Sequence, residues 1–371
     1  RTLLSANLVD KKINHQSVHD FLRFQWIQTP NTIVDGIMTI PPGSYGSWKN
    51  GKFTIEKWWE LSNFLSNPNL DGPVNIKEVQ KRVRELFYSA VDSRLVSDVP
   101  IGAFLSGGID SSAVVAAMAN MSSTRVNTFC IGFNEKKYDE SHFAQIIAKK
   151  YNTNHELLTY SADTIRNEIP DILASFDTPS TDGVNSAVIT KLVKDAGITV
   201  ALSGLGGDEL FCGYPVFNQL PALQKYTSLW KLPKFIRQSI AKGMFIPKIA
   251  KYEKFGRLLS ASSSSKKDFY PYFREIFNPA LASKVLANSC NQSVFESTLA
   301  SHKNDPTLGW ISTTEISGYT QHVLLKDTDM CSMTNALEVR VPFFDHNLVE
   351  YVLSLPDVIK TPTTPKKILT D

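Results

Sequence analysis

Ile101-Gly102-Ala103-Phe104-Leu105 runs straight into Ser106-Gly107-Gly108-Ile109-Asp110-Ser111-Ser112, and no other part of the chain constrains the architecture as tightly. The first five residues are a short apolar run of the kind found in buried strands. From Asp110 to Met121 the chain is rich in Ala and Val and reads as a helix. Two adjacent glycines between them let the backbone turn sharply and approach a ligand closely. A helix N-terminus offers free N–H groups and a partial positive charge, which suit phosphate oxygens. Ser106, Ser111 and Ser112 add hydroxyl donors. Asp110 is the odd member, because a carboxylate repels phosphate. A divalent ion bridging the two removes the conflict, so Asp110 reads as a magnesium ligand. A glycine turn with a helix N-cap is the bland alternative; it leaves the three serines and the strand-then-helix context without a reason. The GxxxxGK[ST] pattern of the other common phosphate loop is absent.

Working outward, strands and helices alternate. Before the loop, Val79, Val83, Leu86, Phe87, Ala90, Val91 and Leu95 recur at helical spacing. After it come strands at Val126–Ile131, His155–Leu158 and Ile198–Leu202. The intervening helices are expected at Asp139–Lys150, with Phe143, Ile146, Ile147 and Tyr151 inward, at Ala162–Phe176 and at Ser186–Ala196. The fold class is therefore α/β, a parallel twisted sheet flanked by helices, followed by a mostly helical C-terminal part after about residue 215. Lys and Arg residues between 225 and 257 read as a solvated helical face, and Tyr226, Trp230 and Phe235 as core rather than a nucleic-acid platform.

A second loop, Ser203-Gly204-Leu205-Gly206-Gly207-Asp208-Glu209-Leu210-Phe211, follows the Ile198–Leu202 strand. Open parallel sheets place ligands at such strand ends. Ser203 and Gly204 can approach a nucleotide, and Asp208 supplies a second carboxylate. Two carboxylates from separate strand ends can hold one magnesium ion against bound phosphates. The alternative for Asp208 is a helix N-cap.

The first 65 residues differ in texture. Residues 32–34, 37–40 and 52–55 are short β-like runs, and Asn50-Gly51 favours a hairpin turn. Residues 67–73 have linker composition. This divides the chain into 1–68 and 69–371. The 371 residues are 42% hydrophobic and 20% charged, with a net charge of +3. That is ordinary globular usage, too mildly basic to imply nucleic acid or an anionic membrane. No apolar stretch is long enough to span a membrane. Cys130, Cys212, Cys290 and Cys331 form no CxxC pair and read as buried thiols in a reducing cytoplasm. Residue 1 is Arg, which suggests a processed N-terminus or a piece of something longer.

The SGGIDSS string resembles the pyrophosphate loop of the N-type ATP pyrophosphatases, and the chain as a whole is similar to the asparagine synthetase family within them. The resemblance also rests on the 203–211 loop with Gly213-Tyr214, on Leu337-Glu338-Val339-Arg340-Val341-Pro342-Phe343-Phe344-Asp345, and on Thr128-Phe129-Cys130-Ile131-Gly132-Phe133. It implies an amide ligase that uses ATP and Mg2+, adenylates the side chain of aspartate, and transfers glutamine-derived ammonia to form asparagine.

By the same resemblance Leu105 and Ile131 flank the adenine, with Gly132 beside it. Ser106, Gly107, Gly108, Asp110, Ser111, Ser112, Ser203 and Gly204 bind the nucleotide, and Asp110 and Asp208 hold the metal. Lys326 and Arg340 are candidates to neutralise a carboxylate or phosphate, against the alternative of surface ion pairs; Glu338 and Asp345 are candidate structural partners for such cations. Residues 1–68 resemble the tail of the family's glutaminase domain, and 69–371 the synthetase domain, cut short at its C-terminus. The family's catalytic lysine is expected beyond Lys366 and Lys367. A homodimer is compatible with this reading.

One departure stands out: Leu205 occupies the position of the family's adenylate-forming glutamate. Either Glu209 or another group compensates, or the acceptor is another carboxylic acid, such as a sugar acid or a peptide. A tRNA-modifying relative would need a catalytic cysteine and a basic face, and a non-catalytic nucleotide-binding protein would not need both carboxylates.

Overall fold

A computed structural model describes residues 2–65, 75–133, 139–160, 162–244, 256–286, 293–300, 305–360, 364 and 366–370. Near the N-terminus, strands β1 (Ser44–Lys49) and β2 (Lys52–Lys57) form an antiparallel hairpin. Its turn is Asn50-Gly51, both with positive φ (51° and 77°), the geometry that favours this dipeptide between strands. The expected run 52–55 lies in β2. Residues 32–34 and 37–40 make only isolated bridges, Ile13 with Val34 and Asn31 with Met38. The linker expected at 67–73 lies outside the described residues.

The main sheet is parallel throughout and has the order β5-β4-β3-β6-β7, with β3 at Ile101–Phe104, β4 at Asn127–Phe133, β5 at Asn154–Tyr160, β6 at Val200–Leu202 and β7 at Glu338–Arg340. The central strands are buried, Ala103, Ala201 and Leu202 completely. β7 was not anticipated. It is three residues long, polar at both ends and on the sheet edge, so it carries no apolar run to announce it.

Helices cover the sheet. Ile76–Ser93, capped by the side chain of Asn75, buries Val79, Val83, Phe87, Ala90 and Val91 as its periodicity predicts. Phe87 stacks on Phe343 with ring centroids 4.7 Å apart. The helix Ser141–Lys150 corrects the sequence reading. Its inward face is Ser141, Ala144 and Ala148, whereas Phe143 and Ile146 are 50% and 61% exposed. The cause is close approach to the first loop. Gly107 has φ +81°, and a Cβ there would lie 2.4 Å from Phe143 Cβ and 2.5 Å from the Ala144 nitrogen. The helix meets the turn at the Phe143 Cβ and the Ala144 backbone, so Ala144 faces inward while Phe143 and Ile146 stay exposed; Ile147 packs against the main core as expected.

A second, aromatic core joins Phe24 and Trp26 to Phe217, Phe269, Tyr270, Phe295, Trp310 and Val323. The helix His15–Phe24 is thereby built into the helical C-terminal part. Arg23, 3% exposed, clamps it there: its guanidinium donates to Glu275 at 2.7 Å and to Glu296 at 2.7 Å. Trp59, Leu61, Phe64 and Leu65 pack instead against the core under the sheet.

One long helical run crosses behind the second loop. Thr307–Glu315 is buried from Leu308 onward, Ile316–Leu324 is wound as a π-helix, and Leu325–Thr334 resumes the α-helix. Such π segments are rare and concentrate near functional sites. His322 in this segment is 7% exposed, and both ring nitrogens have fixed work. Nδ1–H donates to the Gly318 carbonyl at 2.8 Å, and Nε2 accepts from the Thr29 N–H at 3.1 Å. That arrangement needs a neutral ring, and burial pushes its pKa down to about 4.

The unfolded chain takes up this proton near pH 6.5 and the folded chain does not until about pH 4. Acid therefore favours unfolding through that window. Native stability should fall by about 2 kcal/mol more between pH 7 and pH 5 than that of His322→Asn. Equal urea-unfolding differences in the two proteins would exclude this role for His322.

Candidate functional site

The strand order makes the site. From β3 the chain builds outward to β4 and β5, then returns to the other side of β3 as β6. The crevice at the C-terminal ends of β3 and β6 is the switch point where open α/β sheets bind ligands. The two loops singled out in the sequence leave from those two strand ends.

In the first loop, Ser106 and Ser111 hydroxyls lie 3.0 Å apart, the Gly108 N–H donates to Ser106 Oγ, and the Ser111 hydroxyl donates to the Gly108 carbonyl at 3.2 Å. This internal bracing holds residues 106–111 as a cup at the start of the helix Ile109–Met121. The Ser112 hydroxyl is buried without a partner. In the second loop, the Leu205 N–H donates to Ser203 Oγ at 3.3 Å, and Gly206 adopts φ +106°. The short helix Gly207–Leu210 then carries Asp208.

The loops touch where only glycine fits. A Cβ on Gly204 would lie 2.5 Å from the Ser111 nitrogen, and one on Gly207 would lie 2.3 Å from the Asp110 carboxylate. This close approach brings the two carboxylates onto one cation. Lys366 Nζ lies 2.6 Å from Asp110 Oδ2 and 2.7 Å from Asp208 Oδ1. The other Asp110 oxygen, Oδ1, is buried and has no partner. Burial raises the Asp110 pKa to about 6, with Lys366 opposing that rise.

Two carboxylates beside the serine-lined cup suit magnesium, which takes one or two carboxylates and completes its shell with phosphates and water. Among the described residues no group of three or more His, Cys, Asp or Glu could hold a metal alone. A nucleotide-borne ion therefore fits this pair better than a protein-caged one.

The remaining candidates fall differently. Leu105 is 1% exposed within the main core, so its side chain is not open to flank an adenine, and its N–H donates to the Phe129 carbonyl at 2.8 Å. Ile131 and Gly132 lie near the end of β4, Ile131 half-buried and Gly132 buried. Arg340 is committed elsewhere: it donates to Glu338 at 2.7 Å and to the Arg94 and Val96 carbonyls at 2.8 Å each. Glu338 is thus the partner of Arg340. Asp345 pairs with Arg94 at 3.1 Å and caps the helix His346–Ser354. Lys326 sits beside Asp327 and Asp177, its pKa lowered by burial, and is not the cation found on Asp110 and Asp208.

Glu209 cannot replace the missing glutamate at 205. It is fully buried, and its Oε1 accepts from Tyr214 at 3.0 Å and Thr320 at 2.7 Å. Beyond it, Arg274 forms a bidentate pair with the fully buried Glu315 and lies 4.1 Å from the Tyr319 ring centroid and 5.1 Å from that of Tyr214.

Lys366, Arg274 and Glu315 are the residues that sequence reading missed. The sequence reading places the family's lysine beyond Lys366, and no local pattern marks a contact that spans 256 residues to Asp110. It reaches the site through a left-handed backbone at φ +62° and an N–H bond to the Phe211 carbonyl at 3.0 Å. Cys130, Cys212 and Cys331 are buried free thiols, with pKa values pushed up by burial to about 11, 12 and 12; Cys290 lies outside the described residues. No helix among those residues is long and apolar enough to cross a membrane.

A serine-lined cup at one strand end, two carboxylates on a shared cation and an open parallel sheet are the parts that a nucleotide site of the pyrophosphate-loop kind requires. Comparison with known families narrows this further: residues 82–370 match the asparagine synthase family model, and the chain belongs to that family. It is 27% identical over 373 residues to glutamine-hydrolyzing asparagine synthetase 1 of Bacillus subtilis (strain 168), covering 97% of this chain and 56% of that protein. A putative glutamine-hydrolyzing asparagine synthetase 2 of Methanocaldococcus jannaschii is 33% identical over 244 residues, 63% of this chain and 45% of that protein. Amidase chyE of Penicillium rubens is 26% identical over 385 residues, 92% of this chain and 55% of that protein. The chain spans about half the length of these relatives.

Proposed function

We propose that this chain is the synthetase part of an ATP-dependent amide ligase that converts aspartate to asparagine. The observation that carries the reading is the meeting of the β3 and β6 loops, with Asp110 and Asp208 on one cation beside the serine-lined cup. An acceptor carboxylate oxygen attacks the α-phosphorus of ATP, the bond to the bridging oxygen breaks, and pyrophosphate leaves. Ammonia derived from glutamine then attacks the acyl carbon and AMP departs, leaving an amide.

The chain contributes position and charge. The backbone and hydroxyls of 106–112 hold phosphate oxygens, and Ser203 and Gly204 close the nucleotide from the β6 side. When bound by Asp110 and Asp208, a magnesium ion would neutralise charge on the pyrophosphate. We further read the part of residues 1–68 around the β1–β2 hairpin as the end of a glutaminase unit, whereas residues 15–26 and 59–65 pack into the synthetase cores. The β1–β2 hairpin supports this, since it leaves Trp48 71% and Phe53 48% exposed and a lone two-stranded hairpin is marginal in water. The buried free thiols fit the cytoplasm.

Full-length protein given aspartate, glutamine and ATP should yield AMP, pyrophosphate and asparagine. Release of ADP instead would exclude adenylation. A second reading, amidation of another carboxylic acid, is favoured by Leu205, by the burial of Glu209 and by the similarity to a protein named as an amidase. It predicts pyrophosphate without asparagine from the native protein, and a gain in asparagine formation of about tenfold or more in Leu205→Glu, the scale of one added charge-assisted contact.

A further inference from the structure

Lys366 occupies the place where a metal held by Asp110 and Asp208 would sit. We propose that Lys366 is a resident stand-in for the divalent ion, holding the two carboxylates together until a metal-bound nucleotide displaces it, and so keeping the site's affinity for free metal low. The proposal rests on the reading of Asp110 and Asp208 as metal ligands.

Its ammonium bridges carboxylates from two different strand-end loops at 2.6 and 2.7 Å, with the lysine side chain only 11% exposed. The stem passes where Gly213 has no side chain: a Cβ on Gly213 would lie 2.8 Å from Lys366 Cε and 1.7 Å from Asp208 Oδ1. The backbone is held for this pose by the Phe211 carbonyl.

The charges do not balance, because one ammonium answers two carboxylates, and the buried Asp110 Oδ1 keeps no partner. A divalent ion would balance the pair and could use that oxygen. The lysine nevertheless competes well, since it is tethered and its effective concentration is in the millimolar range or above. Free metal must eject this cation into solvent. A metal–nucleotide complex brings phosphates that give the displaced ammonium a new partner. Metal and nucleotide should therefore bind with positive coupling, and Lys366 is its source.

The test is Mn2+ binding to the full-length protein, followed by electron paramagnetic resonance or calorimetry, with and without ATP. Lys366→Met should bind Mn2+ alone about tenfold tighter or more than native protein, and ATP should enhance its Mn2+ affinity less. Lys366→Arg, which keeps a cation, should stay near the native values and guards against a general loss of structure. Equal Mn2+ affinity without ATP in native protein and Lys366→Met overturns the stand-in role. If Asp110→Asn instead leaves Mn2+ binding in the presence of ATP unchanged, the metal-ligand reading itself fails, and the inference with it.

Discussion

Asp110→Asn is expected to lower pyrophosphate formation on the order of 10²- to 10³-fold while leaving the melting temperature unchanged or slightly raised. The two outcomes have one cause. Asp110 is held largely out of water, with one oxygen unpartnered, and burial raises its pKa to about 6. The fold therefore works against the charge it keeps there. The isosteric amide removes that conflict, at the cost of a weaker contact with Lys366. For chemistry the charge is what matters. Loss of a preorganised electrostatic partner in a phosphate site removes several kcal/mol of transition-state stabilisation, which is the stated fold-change. Asp208→Asn should lower activity to a similar extent, since its carboxylate shares the same cation. The double variant should be much less impaired than the product of the singles, because the carboxylates act on one ion. Activity within tenfold of native in both single variants would remove the pair from the reaction.

How far such a site can be read from sequence depends on where its parts lie along the chain. The Ser106–Ser112 loop is local, since its strand, glycine turn and helix occupy 21 consecutive residues from Ile101 to Met121. The alternation around it was equally legible, and four of the five strands of the main sheet were found within two residues at each end. β7 was not, since an edge strand as short as Glu338–Arg340 owes its existence to pairing with β6.

The inward face of Ser141–Lys150 was misread for a related reason. Apolar periodicity pointed at Phe143 and Ile146, but the Gly107 turn meets the helix at the Phe143 Cβ and the Ala144 backbone, a tertiary approach that turns Ala144 inward and leaves Phe143 exposed. Leu105 and Arg340 were placed in the site through their motifs, and packing put one in the core and tied the other to Glu338 and two carbonyls. Lys366 shows the converse, because its role exists only through tertiary contact with loops more than 150 residues earlier.

The largest loss of stability is expected from Arg274→Met. Glu315 is fully buried on the helix Thr307–Glu315, whose neighbours are buried as well, and Arg274 is its bidentate partner. Burial would lower the arginine's pKa, and Glu315 together with Tyr270 and Tyr214 turns the net shift upward. Removing the cation strands a carboxylate in the interior, which costs about 3–5 kcal/mol, a large share of the roughly 5–15 kcal/mol that holds a typical domain together.

Glu315→Gln should cost less, because Arg274 keeps 20% of its side chain in solvent and still lies against the Tyr319 ring. Arg274→Met combined with Glu315→Leu should recover most of the loss, since an apolar pair of similar volume can replace a buried ion pair at little net cost. The rescued protein should still differ in function. Arg274 lies against Tyr214, Tyr214 donates to Glu209, and Glu209 is the residue after Asp208. Stability should return while the KM for ATP stays raised, separating the support of the fold from the support of the loop. A double variant no more stable than Arg274→Met in urea would mean that the cost lies in lost packing around the guanidinium rather than in the stranded charge.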